Sequence, residues 1–165
     1  AVISIREDTL LYQDGTQDIQ QVVQAPEGVC IVPITQNGTI IVTKEYRHNH
    51  GKIFGVPMGK MDKGEMSLDA AKRELLEELG ITAQKWTLLS MHHNGMHEEG
   101  LNFFFLAEEI SHGIASPEDD EEIELIEMTF QEALRLMDEK GGGFVDLRTR
   151  GSIWSAYIHL MHRNS

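Results

Sequence analysis

Residues 59 to 81, GKMDKGEMSLDAAKRELLEELGI, constrain this chain more than any other segment, because they place an acidic cluster on a helix directly after a glycine-rich stretch. The helix is expected over Ser67 to Leu79. Ser67 is a good N-cap type, Asp69 suits the positive end of the helix dipole, and Gly80 is placed to end the helix in a left-handed conformation. At about 100° per residue, Leu68, Ala71, Leu75, Leu76 and Leu79 form one apolar stripe. Glu74 and Glu78 lie together on its flank, about 6 Å apart along the axis, and Glu77 is further round.

Like charges one turn apart cost an isolated helix a few tenths of a kcal/mol, and more beside a buried stripe where the dielectric is low. Stability alone would not select this pattern. Carboxylates converging at the border of a buried face suit a hard divalent cation such as Mg²⁺, which takes oxygen ligands and shares them with substrate phosphates. Gly59 and its neighbours would let the main chain approach such an ion closely and add a backbone carbonyl. The competing reading is a solvated acidic helix face.

The rest of the chain is organised around this unit. Residues 2–12 and 17–25 read as strands, 29–35 as a short buried strand, and Asn37-Gly38 as a hairpin turn into 39–46. Residues 47 to 66 carry four glycines and a proline and read mostly as loop, with a short strand near 53–56. Strands are expected at 86–92, 101–108 and 123–128 from their aromatic and β-branched content. Thr129 with Glu132 forms a capping-box pattern for a second helix that should fail at Gly141 to Gly143. Ile153, Trp154, Tyr157, Ile158 and Met161 have helical spacing and predict a third helix packed by its aromatic face. No linker or repeat divides the 165 residues, so one domain over 1–165 is expected, an α/β/α sandwich with a mixed sheet between helices.

Charge and composition narrow the function classes. A formal net charge of −13 argues against a binder of duplex nucleic acid, and a phosphate-bearing substrate would need bound cations to offset the repulsion. No apolar run is long enough to span a membrane, and AVISIREDTL does not resemble a signal peptide, so the default expectation is a cytoplasmic protein. The single cysteine, Cys30, sits in the apolar run VCIVPI and reads as a buried, inert thiol.

With those features in place, residues 59–81 resemble the Nudix box, G-x5-E-x7-R-E-U-x-E-E-x-G-U with U apolar. Every specified position is filled, by Gly59, Glu65, Arg73, Glu74, Leu75, Glu77, Glu78, Gly80 and Ile81. The resemblance implies a Nudix α/β/α sandwich and a magnesium-dependent hydrolase, with Mn²⁺ a substitute, that cleaves the pyrophosphate linkage of a nucleoside diphosphate joined to another group. It implies Glu74 and Glu78 as principal metal ligands, Glu77 as a further or water-mediated one, Arg73 as the group that orients them, and Glu65 as a support for the loop-helix turn. Two or three Mg²⁺ ions would share the diphosphate oxygens and acidify an attacking water. In several Nudix subfamilies the base that takes the water's proton comes from a loop after the box. The run PEDDEEIE offers Glu118, Glu121 or Glu122 for that role, against the reading of a solvated charge run.

The segment KEYRHNHGKIFGVPMGKMDKGE resembles the ADP-ribose pyrophosphatase-like branch. That implies Arg47 as a contact to the substrate diphosphate and the Met58 carbonyl as a metal ligand beside Gly59. The chain departs from the branch at Gly55, at Met58 and at His93-Asn94-Gly95, so ADP-ribose, other nucleotide sugars and dinucleotides all stay open as small-molecule nucleotide substrates. Two alternatives stand beside hydrolysis of that linkage: a nucleotide-sensing Nudix-fold binding domain, and a hydrolase of dinucleoside polyphosphates or nucleotide caps. Pairing or exchange of the N-terminal strands between chains, as in the branch, would give a homodimer. The histidines match no zinc spacing and read as surface or substrate-lining groups. Phe103 to Phe105 and Trp154 are expected in the core rather than as base-stacking platforms.

Overall fold

A computed structural model describes residues 4–112, 123–139 and 143–163. Nine strands and three helices are defined among them, in the order β1 (Ser4–Leu11), β2 (Gln17–Gln24), β3 (Gly28–Pro33), β4 (Ile40–Arg47), β5 (Gly51–Gly55), β6 (Met58–Lys60), α1 (Ser67–Leu79), β7 (Ile81–Gly95), β8 (Glu98–His112), β9 (Glu124–Met128), α2 (Phe130–Asp138) and α3 (Leu147–Arg163). The strands form a six-stranded mixed sheet and a three-stranded antiparallel sheet ordered β5-β4-β9. In the larger sheet β8 is the axis: it pairs antiparallel with β7 and parallel with β3 and, over two residues, with β2.

Alternation along the central strands explains the layers, because successive side chains of a strand point to opposite faces. Val29 and Ile31 of β3 with Phe105 and Ala107 of β8 pack against Ala70, Ala71, Leu75 and Leu79 of α1. Cys30 and Val32 with Phe104 and Leu106 face the other way, onto α2 and α3 through Ala133, Met137, Ile153, Ala156 and Leu160. This is an α/β/α sandwich, with every residue of β3 buried as a central strand flanked by helices on both faces should be. Cys30 is buried, and burial pushes its thiol up to about 12.

Several boundaries differ from the sequence expectation. Helix α1 spans the expected residues and ends on Gly80 at φ 61°, but its N-cap is Met66 and no side chain caps it; Ser67 is already the first helical residue. Its buried arc takes in Ala70 and leaves Leu76 40% exposed. The helix is therefore turned toward the flank that carries Glu74 and Glu78. Thr129 and Glu132 form the reciprocal capping box expected of α2. Strands β7 and β8 are each 15 residues long, well beyond the expected 86–92 and 101–108, because they pair with each other along the whole of a long hairpin. Among the described residues no helix is long and apolar enough to cross a membrane.

Candidate active site

The strand β6 carries the main chain past the face of α1, and the loop between them is fastened by Arg73. Its guanidinium donates from Nε and Nη2 to the two carboxylate oxygens of Glu65, each at 3.0 Å, and from Nη2 to the Lys60 carbonyl at 2.9 Å. Its Nη1 reaches Glu74 at 2.6 Å and Glu77 at 3.2 Å. A planar fork that always keeps its charge is suited to hold several carboxylates at once. Glu65 also accepts from the Asp62 N–H at 2.8 Å, and the Arg73 contact holds its carboxyl below the usual range.

Two carboxylates meet the backbone of β6. The Glu74 carboxylate lies in the space that a Cβ at residue 59 would occupy, so glycine lets it approach the main chain and any side chain at 59 would have to displace it. One turn along, Glu78 accepts from the Met58 N–H at 3.3 Å. Burial raises the Glu74 carboxyl above its ordinary value, with Arg73 acting in the opposite direction. The Glu74 side chain is 13% exposed and that of Glu77 54%, so the three glutamates have unequal surroundings.

This corner opens into a cleft of about 1180 Å³, whose wall includes Met58, Gly59, Glu78 and Arg47. Arg47, at the end of β4, is paired to Glu45 at 2.9 Å. His50, His92 and His93 also line the cleft, and among the described residues no three His, Cys, Asp or Glu side chains form a ready metal cage. The donor set still fits a hard divalent ion, since it consists of carboxylates and main-chain groups clustered at the cleft wall, with one carboxylate desolvated and pressed onto a glycine. Glu118, Glu121 and Glu122, the expected sources of a base, lie outside the described residues.

The cleft has residues that sequence reasoning missed. Asp146 precedes α3 and accepts from the Arg148 N–H at 2.7 Å, while Arg148 returns a two-pronged ion pair at 3.1 and 2.6 Å; both line the cleft. Aspartate just ahead of a helix is a capping signal, and it would have placed the start of α3 at Leu147. Asn102, buried on β8, and Glu98 lie on the same wall. Phe104 and Phe105 are core residues as expected, but Trp154 is not: the residue is 53% exposed and lines the cleft.

The NUDIX domain model matches residues 25–146, about three quarters of the chain. The chain belongs to the Nudix family. As a Nudix hydrolase it is a pyrophosphohydrolase, acting on phosphoanhydride bonds, and enzymes of this family generally use a divalent metal. It is 32% identical over 144 residues to an ADP-ribose pyrophosphatase of Bacillus subtilis (strain 168), covering 84% of this chain and 77% of the relative. It is 30% identical, with the same coverage, to a methanol dehydrogenase activator of Bacillus methanolicus. A crystal structure of an ADP compounds hydrolase superposes with a TM-score of 0.84 at 20% identity, covering 98% of this Nudix chain and 88% of the other, which establishes the shared fold.

Proposed function

We propose that this Nudix hydrolase, acting as one domain over 1–165, cleaves the diphosphate linkage of a nucleoside diphosphate joined to a second group, with Mg²⁺ as the metal. ADP-ribose is the first candidate, supported by the likeness to the Bacillus subtilis ADP-ribose pyrophosphatase. The observation that carries the reading is the placement of Glu78 against Met58 on the wall of one cleft that also holds Gly59 and Arg47, with Glu74 packed directly behind Gly59.

In this reading Glu74 and Glu78 hold the metal, with Glu77 and the main chain at Met58 and Gly59 completing the donor set. The bound ion would supply positive charge to the diphosphate oxygens and acidify the attacking water. Arg73 orients the carboxylates, and its hold on Glu65 and the Lys60 carbonyl fixes the loop relative to the helix. Arg47 binds the diphosphate, as a guanidinium binds phosphate oxygens. A glutamate of 118–122, with Glu121 and Glu122 favoured, takes the water's proton.

The test is a product-resolved screen of ADP-ribose, nucleotide sugars, dinucleotides and nucleoside triphosphates with Mg²⁺ and Mn²⁺. Release of AMP and ribose 5-phosphate from ADP-ribose as the best reaction supports the proposal. A preference for nucleoside triphosphates, or binding with no product from any compound, contradicts it.

A further inference from the structure

Trp154 is the least expected side chain on the cleft wall. Its exposure follows from how α3 is seated: Gly151, one turn earlier, lies against the Phe104 ring, and a Cβ there would stand 3.1 Å from the ring edge. The helix face that packs on the sheet is Thr149, Ser152, Ile153, Ala156 and Leu160, which leaves Trp154 rotated out toward the cleft. The ring is held there by neighbours. Tyr157 lies 6.0 Å from it, centroid to centroid, and is itself backed by Phe130 at 5.8 Å. Leu147, 81% exposed, and Val145 line the same cleft, so apolar surface is collected there beside the Asp146–Arg148 ion pair and the other polar groups of the lining.

Apolar and aromatic surface collected inside a cleft, beside convergent polar groups, marks the place where the apolar part of a ligand is received. A nucleoside diphosphate derivative has one large flat apolar part, its base, and every base presents a π face to a tryptophan. We infer that Trp154 is the platform on which the substrate's nucleobase stacks, so that α3 sets the preference for the nucleoside. This rests on the proposed substrate class and goes beyond it by assigning the base to a named wall of the cleft. The diphosphate then runs from α3 toward Arg47 and the carboxylates of α1, with the second group on the remaining side.

The chain has two tryptophans, and the second supplies a clean background. Trp86 donates to the Ala83 carbonyl at 3.0 Å and packs edge-on to Phe105, on the α1 side of the sheet and away from the cleft. Emission of the Trp86→Phe protein therefore reports Trp154 alone. Titrated with AMP in the presence of EDTA, that emission should be quenched, while ribose 5-phosphate should leave it unchanged. The same titration of Trp154→Phe, which retains Trp86, should show no quenching and guards against a misfolded Trp86 variant. In turnover, Trp154→Ala should raise KM for ADP-ribose roughly tenfold with kcat little changed, and Trp154→Phe should restore most of the loss. Unchanged emission at millimolar AMP, an equal response to ribose 5-phosphate, or a loss confined to kcat overturns the inference. AMP quenching without any hydrolysis of ADP-ribose would leave this subsite standing and refute the proposed substrate instead.

Discussion

The carboxylate of Glu74 sits where the side chain of residue 59 would begin, so the glycine that opens the Nudix box and the first glutamate of its acidic triplet fit together as one unit. Gly59→Ala would have to displace that carboxylate from the main chain. Since a misplacement of about 1 Å can cost on the order of a hundredfold in rate, kcat should fall by roughly that factor with little change in the far-ultraviolet circular dichroism. Wild-type kcat in Gly59→Ala would show that the Glu74 position is not needed.

Arg73 should matter to stability as well as to turnover. Its five contacts reach three carboxylates and a carbonyl, and with Arg73→Ala the partly buried Glu65 and Glu74 lose their counter-ion. Hydrogen bonds to charged groups contribute about 1.5–3 kcal/mol, so denaturant unfolding should show a loss of that order. Arg73→Lys, which keeps the charge but loses the fork, should recover only part of it. An unfolding midpoint equal to wild type in Arg73→Ala would contradict this role.

Much of this was readable in the sequence because it is local. The nine specified positions of the box, the helix over 67–79, the left-handed Gly80 and the Thr129–Glu132 capping box each depend on residues within a turn or two of one another. The misreadings arise where distant contacts decide. Trp154 and Ile153 are neighbours in sequence with equal claim to the core, and it is the seating of α3 on the sheet, with Gly151 against Phe104, that leaves one inward and the other on the cleft. Leu76 completes an apolar stripe on paper, but α1 is turned toward Ala70 by its packing on β3 and β8. The full length of β7 and β8 depends on their mutual pairing, which neither strand's composition reveals.

A third expectation concerns acid stability. Burial raises the carboxyl of Glu108, but ion pairs to Lys85 at 2.8 Å and Arg163 at 2.8 Å outweigh it and hold the group below its ordinary value. The folded pKa is thus depressed. The stabilisation is present above the unfolded carboxylate value of about 4.3 and is lost as pH falls through the folded value. Thermal melts of wild type and Glu108→Gln should differ at neutral pH and converge in acid; a gap that widens as pH falls would reverse the sign and refute the assignment.

The central claim is that Glu78, one turn beyond Glu74 and bonded to the Met58 N–H, holds a divalent ion against a diphosphate. The most direct measurement is turnover of ADP-ribose by Glu78→Gln across a Mg²⁺ titration, with product identity and melting temperature recorded for the same preparation. The account predicts AMP and ribose 5-phosphate from wild type, and for the variant an unchanged melt with turnover lower by about a hundredfold or more at every Mg²⁺ concentration. Turnover by Glu78→Gln at the wild-type rate and with the wild-type Mg²⁺ dependence would contradict it.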